Sequence, residues 1–350
     1  MSTAAGGAAE LQPVLAAWGA AGSELSPLGA GLINQTYAVE GPRGRFVLQR
    51  LHPMFRPEVN LDIDAVTRYL AAQGLLTPRL LRTTTGDCWF GHEGQTWRAL
   101  SWVDGMGIER VADAGQAAEA GRVLARFHDA MQGFEHRFHG SRSGVHDTAR
   151  HLAKLREALA KHRGHPRYRC IEPLAGRILA AAGALPVLPP VPERVVHGDP
   201  KIGNILFSHD QRRALCLIDF DTLAPMALPL ELGDAFRSWC NPAGEDGSRA
   251  FFSLEIFRAA LMAYAELARG FLLAAEWGSI VAATRTIQVE LAARFCADAL
   301  EESYFGWDRQ RFASASEHHQ LRAESQLAVA ESLLAQEAAA ETVVREAFAG

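Results

Sequence analysis

Residues 195–222, VVHGDPKIGNILFSHDQRRALCLIDFDT, gather His197, Asp199, Asn204, Asp219 and Asp221 into one short stretch. Val195 and Val196 end one short apolar run, Ile205 to Phe207 form a second and Leu215 to Ile218 a third, each the length of a buried strand. The loop between the first two carries Gly198, Pro200 and Gly203, which break regular structure and let the backbone turn tightly around Asp199. Polar SHDQRR joins the second run to the third as a hairpin connection would, so Asp219 is expected to return beside Asn204. A carboxylate and an amide oxygen are hard donors that suit Mg²⁺, an ion that keeps some waters and shares the rest of its shell with substrate phosphates.

Asp199 precedes Asn204 by five positions, the spacing of the kinase catalytic loop H-R-D-x-x-x-x-N, in which the Asp accepts the proton of the attacking hydroxyl and the Asn holds metal. Asp219 then matches the metal-binding Asp of D-F-G. Gly198 replaces the Arg of the first motif and Asp221 the Gly of the second, which points away from protein kinases toward enzymes of the same fold acting on small molecules. On this reading Asp199 is the proton acceptor, Asn204 and Asp219 hold Mg²⁺, Lys201 offsets charge near the moving phosphoryl group, and Asp221 either joins the metal shell or fixes the loop. His197 is expected to prop the loop backbone. Upstream, LGAGLINQTY presents Gly29, Gly31 and Asn34 before an apolar strand, where backbone N–H groups could cover the phosphates of ATP. Where kinases carry a strand lysine, FVLQRL has Gln49 and Arg50. Only one of the two can face the cleft, because side chains alternate along a strand, and Arg50 would supply the charge.

These segments resemble the aminoglycoside phosphotransferase and choline kinase superfamily, with the closest likeness to the N-acetylhexosamine 1-kinases. HGDPKIGNILF and LIDFDT carry the resemblance most specifically. GLINQTY, FVLQRLHP, WRALSWVDG, ELGDAFRSWCNPAGED (231–246), TIQVELAARFCADALEESYF (286–305) and HHQLRAESQLAVAESL (318–333) extend it over almost the whole chain. The resemblance implies a bilobal, protein-kinase-like α+β fold. A small antiparallel N-lobe with one helix (1–103) would bind nucleotide, and a larger, mainly helical C-lobe (104–350) would carry catalysis and acceptor binding. It implies ATP and Mg²⁺ as cofactors, main-chain groups near Ser101 and Val103 for adenine, and Arg294 and Tyr304 for the acceptor sugar. The implied reaction is phosphorylation of the anomeric hydroxyl of an N-acetylhexosamine. Two departures bear on the acceptor: Leu32 stands where those sugar kinases usually have His, and the turn before Tyr304 is shorter and lacks their Gly-Asp. The alternatives are an aminoglycoside, choline or homoserine-type kinase of the same fold, or a nucleotide-binding regulator without turnover.

The rest of the chain fits a small-molecule enzyme. With 350 residues, 48% of them hydrophobic, it can bury a substantial core and exceeds one typical domain. A net charge of −5 leaves no basic footprint for nucleic acid and no call for a membrane surface. The amino terminus lacks a charged leader with a long apolar core, so a cytoplasmic protein, a monomer or weak dimer, is expected. Five scattered cysteines without C-x-x-C spacing are expected to be reduced thiols. The histidine pairs His318-His319 and His162 with His165 lack ligand company at a recognised spacing and are expected on solvated surface. Helical periodicity predicts helices over 8–19, 58–73 and, beyond residue 104, amphipathic helices over 113–133, 147–161, 170–183, 250–269, 280–301 and 315–347.

Overall fold

The computed structural model describes residues 11–28, 33–42, 44–140 and 145–349. The chain separates into two compact units, one comprising Met1–Asp104, Gly133–Arg142 and Ile218–Leu223, the other Gly105–Gln132, Ser143–Leu217 and Ala224–Gly350. The first unit thus takes in two segments that lie far along the chain from its main body. One of them bears Asp219 and Asp221. The expected α+β class holds, with an antiparallel sheet in the N-terminal part and a larger helical part beyond it.

In the first unit, α1 (Gln12–Ala17) precedes strands β1 (Glu24–Pro27), β2 (Gln35–Gly41) and β3 (Gly44–Arg50). After α2 (Val59–Ala72) come β4 (Leu80–Leu81), β5 (Phe90–His92) and β6 (Gln95–Ser101). They form one antiparallel sheet in the order β1-β2-β3-β6-β4, with β5 also paired to β6. Strand alternation divides the sheet's side chains. Leu48, Trp97 and Ala99 join Val14, Leu15 and Trp18 of the α1 region in the apolar core on one face. Thr36, Gln49 and Arg98, which stand opposite one another in register, share the other face.

The second unit opens with β7 (Met106–Gly107) and continues through α3 (Ala114–Ala130), α4 (Thr148–Lys161) and α5 (Tyr168–Gly183). Strands β8 (Glu193–Val196), β9 (Ile205–Phe207), β10 (Ala214–Leu217) and β11 (Ala224–Ala227) follow. The chain then runs through α6 (Leu228–Trp239), α7 (Leu254–Ala268), α8 (Ala274–Trp277), α9 (Ile280–Glu301), α10 (Ala315–Ala335) and α11 (Glu337–Phe348). The expected hairpin is β9–β10, with Ile205 opposite Leu217. Helix α6 and the β8–β11 pairing were not among the expected elements.

Three expectations fail here for identifiable reasons. The helix expected over 315–347 is two helices, because the chain turns at Gln336 (φ −113°, ψ 11°), whose side-chain amide donates to the carbonyls of Phe252 and Ser332. Helix α9 is not amphipathic but buried nearly all round, since it packs against α4, α5, α6 and α10. A helix enclosed on all sides needs no polar stripe for solvent. His318 and His319 are fully buried rather than solvated. His318 Nε2 lies 2.9 Å from Asp246 Oδ1 and its Nδ1 accepts the Asp308 N–H, while His319 Nε2 lies 3.3 Å from Asp298 Oδ2.

Close packing sets the position of α6. A Cβ added at Gly233 would lie 2.9 Å from the Ala283 carbonyl of α9, so only glycine lets the two helix backbones approach this far. No described helix is long and apolar enough to cross a membrane.

Candidate active site

The loop of the quoted stretch lies in the second unit and is shaped by its own glycine and by α6. Gly198 takes φ +83°, a left-handed conformation that side chains rarely adopt. That turn aims the N–H groups of His197 and Gly198 at the fully buried carboxylate of Glu231, each at 2.9 Å. Hydrogen bonds to a charged group contribute about 1.5–3 kcal/mol apiece. Farther along the same helix, Trp239 Nε1 donates to the Pro200 carbonyl at 2.9 Å, and Ser238 Oγ accepts the Ile202 N–H at 3.1 Å. One helix therefore clamps the loop at three points. His197 is fully buried, and its Nδ1 accepts the Asp199 N–H at 3.4 Å.

Within this frame Asp199, Lys201 and Asn204 converge. Lys201 Nζ lies 2.7 Å from Asp199 Oδ2, and Asn204 Nδ2 donates to the Asp199 carbonyl at 2.8 Å and to its Oδ2 at 3.1 Å. Burial opposes ionisation of Asp199, but the Lys201 ammonium, with Arg237 behind it, outweighs that and holds the carboxyl below the ordinary carboxylate value. Because Asn204 spends its amide nitrogen on Asp199, its amide oxygen is the atom a hard cation would take. Asn204 leads directly into β9, where Ile205 stands opposite Leu217 of β10.

Asp219 and Asp221 belong to the first unit. Asp219 sits in the left-handed region (φ 67°, ψ 60°) just before a single 3-10 turn, Phe220–Thr222. A left-handed conformation costs an L-residue about 1–2 kcal/mol, so it persists only where the surroundings impose it. Asp221 is buried and gripped by the sheet. Arg98 Nη1 and Nη2 engage both of its oxygens, the second at 2.9 Å, and Asn34 Nδ2 donates to Oδ2 at 2.6 Å. Arg98, itself 1% exposed, also donates from Nε to Gln49 Oε1 at 2.8 Å. Gln49 in turn reaches Thr36 Oγ1, and Asn34 Oδ1 accepts the His52 N–H. Arg50, the cation expected at the phosphates, is the register partner of Trp97 and shares the opposite face of the sheet. The guanidinium on the Asp221 side belongs to Arg98, one strand over.

The remaining expected residues are placed as follows. The Ser101 N–H donates to the Arg79 carbonyl and its Oγ accepts the Arg79 N–H. Val103 lies past the end of β6, half-buried. Gly29, Gly31 and Leu32 lie outside the described residues. In the second unit, the Arg294 guanidinium stands 5.8 Å from the Tyr304 ring centroid and 5.5 Å from that of Phe305. Tyr304 is about half exposed. Its backbone N–H, with those of Ser303 and Phe305, donates to the buried Asp298 carboxylate, which fixes the turn that ends α9.

Several polar groups of the second unit were not singled out from sequence. Arg237 pairs with Asp234 at 2.8 Å and with Glu245. Burial pushes the Asp234 carboxyl up, and the Asp199 charge adds to this against Arg237. His146 Nδ1 lies 3.0 Å from Glu290 Oε1, and Thr148 Oγ1 donates to Glu290 Oε2 at 2.6 Å. Burial favours neutral His146, but Glu290 and the charge of Asp234 keep its value above that of an ordinary histidine. The available sequence signal was charge at helical spacing, Glu231, Asp234 and Arg237, inside an otherwise apolar run.

Among the described residues, Asp62, His136 and His139 form the one cluster with metal-ligand spacing. Asp62 is occupied there as an anchor. It accepts the N–H groups of His139 and Gly140, and His136 Nε2 sits 2.8 Å from its Oδ1.

The profile of the phosphotransferase enzyme family matches residues 24–313. A homoserine kinase of Sinorhizobium medicae (strain WSM419) is 26% identical over 224 residues, covering 60% of this chain and 61% of that protein. The match thus spans about three fifths of the relative's length. Among solved structures, a microcompartment-associated aminopropanol kinase superposes with a TM-score of 0.63 at 16% identity, over 94% of this chain and 98% of that one. An amicoumacin kinase in complex with AMP-PNP, Ca²⁺ and Ami superposes with a TM-score of 0.62 at 13% identity, over 93% and 96%. At these identities the structural likeness is one of fold.

Proposed function

The chain belongs to the phosphotransferase enzyme family, and from that premise we propose that it transfers the terminal phosphoryl group of ATP to a hydroxyl of a small polar molecule. The observation that carries this reading is the Asp199 carboxyl, held in a clamped loop beside Lys201 and Asn204. Phosphoryl transfer asks little covalent work of a protein: donor and acceptor must be held in line while charge on the moving group is neutralised. In this proposal Asp199 orients the acceptor hydroxyl and takes its proton, and Lys201 lowers the cost of charge at the transferring oxygens. Asn204 and Asp219 would hold Mg²⁺, whose role when bound is to neutralise charge on the phosphate oxygens. A cytoplasmic location is part of the same proposal and agrees with five free cysteines.

For the acceptor, we infer a neutral sugar, with the anomeric hydroxyl of an N-acetylhexosamine as the leading candidate. Paired polar groups stand near the Asp199 loop, Arg237 with both Asp234 and Glu245, and hydroxyls can hydrogen-bond to such groups. The Tyr304 ring beside Arg294 adds an exposed aromatic surface that suits the apolar face of a sugar. A second reading, a kinase for a homoserine-like amino alcohol, is favoured by the homoserine kinase relative.

Purified protein with Mg-ATP and a panel of free sugars, amino sugars, amino alcohols and aminoglycosides separates the two. ADP release with N-acetylhexosamines, and phosphorus coupling to an anomeric proton in the product, are expected. Turnover confined to amino alcohols would move the assignment to the second reading, and no ADP release with any acceptor would remove both.

A further inference from the structure

The buried ion pair between Arg98 and Asp221 stands apart from the groups assigned above to proton transfer and acceptor binding. Both partners are almost wholly enclosed, and the guanidinium has further geometry to satisfy: two nitrogens go to the two Asp221 oxygens and Nε to Gln49. Asn34 adds a third donor to the same carboxylate. With three donors on its oxygens, Asp221 is a poor candidate for the metal shell and a good one for an anchor. Its neighbour two residues back, Asp219, holds a left-handed backbone that needs outside restraint. The single turn Phe220–Thr222 joins the two, and α2 packs against that turn.

We propose that Arg98 is a positioning residue that acts through Asp221 to set the backbone of Asp219 and thereby its grip on the divalent cation that accompanies the nucleotide. This inference rests on the reading of Asp219 as a metal ligand. Arg98 reaches Asp221 from the sheet face that Gln49 occupies, with Gln49 standing at the position of the kinase strand lysine. The cation on this face is Arg98 of β6, held as a fixed planar fork. A guanidinium bound bidentately cannot be replaced by lysine without losing one hydrogen bond and the plane that orients the carboxylate. Groups that orient metal ligands from behind typically change metal affinity by about 10–100-fold when altered.

The test uses Mn²⁺ as the probe, with uptake of Mn²⁺–ADP followed by electron paramagnetic resonance and no acceptor present. Three full-length variants are compared with the unaltered chain: Arg98→Lys, Asp221→Asn, and the doubly substituted Arg98→Gln/Asp221→Asn, which removes both charges and so leaves no unpaired buried ion. Thermal unfolding checks that each is folded. The expected result is Mn²⁺ affinity at least about tenfold weaker in Arg98→Lys and in the double variant, with ADP affinity measured without metal unchanged. Folded variants with Mn²⁺ affinity equal to that of the unaltered chain would overturn the inference while leaving the phosphotransferase reading intact. An unaltered chain that takes up no Mn²⁺–ADP would overturn that reading and this inference together.

Discussion

The loop around Asp199 and the turn around Asp221 each present a carboxylate in one short stretch of chain, yet they are restrained by opposite means. In the loop, Glu231, Ser238 and Trp239 grip backbone atoms and leave the Asp199 side chain to Lys201 and Asn204. In the turn, Arg98 and Asn34 grip the Asp221 side chain itself. A carboxylate that exchanges a proton must keep an accessible oxygen, so its restraint comes from behind, through the main chain. A carboxylate whose task is to hold its neighbours can give both oxygens to the protein. On the proposed roles, the difference separates a group that reacts from one that supports, although both are Asp and they stand only 22 positions apart.

The contrast breaks first at Asp199. Asp199→Asn should lower kcat by about 10²–10⁴-fold with nucleotide affinity retained, because it removes the proton acceptor and no phosphate contact. Steady-state kinetics alongside ADP binding would show this, and near-normal turnover would reassign the base. Removing the loop's backbone clamp should act on stability: Glu231→Ala strands two buried N–H groups and should cost about 3 kcal/mol or more, read from urea unfolding.

Asp199 also predicts a pH response. Its folded pKa lies below the unfolded value, so its stabilising contribution is present above the unfolded pKa and fades as pH falls through the folded one. The acid limb of kcat/KM should therefore lie below the ordinary carboxylate value. Lys201→Met removes the leading cause of the depression and should move that limb to higher pH, whatever it does to the plateau; an unmoved limb would detach Lys201 from the ionisation of Asp199.

The smallest effect tests neither region and so sets a baseline for both. Burial holds His319 down to about 4, with Arg322 opposing its proton and Asp298 only partly compensating. A neutral folded histidine whose unfolded value is higher contributes stability above the unfolded pKa and loses it as pH falls toward 4. His319→Gln should flatten the stability profile over that window by an amount on the order of 2 kcal/mol. A profile unchanged by the substitution would place the acid sensitivity elsewhere.

Much of the site was legible in sequence because it is local. Asp199, Lys201 and Asn204 are joined by a loop of a few residues, and glycine, proline and flanking apolar runs announce such a loop directly. The hairpin from Ile205 to Leu217 follows from the same short-range pattern. What escaped notice depends on distant partners. Glu231 reads as one more surface charge until α6 is seen behind the loop, and Arg98 reads as a strand cation until it is found on Asp221, 123 positions away. Arg50 and Arg98 look alike in a sequence, and only the sheet register shows that they stand on opposite faces.

Sequence alone determined the family-level chemistry, the two-state alternation of the strands and the extent of most helices, since these rest on residue type and spacing over a few turns of chain. Tertiary structure decided which strand cation meets Asp221, which carboxylate is spent on an anchor, and why α9 and the pair His318-His319 are enclosed. Those outcomes depend on what burial and opposite charge bring together across long stretches of chain, and no local pattern encodes the partner.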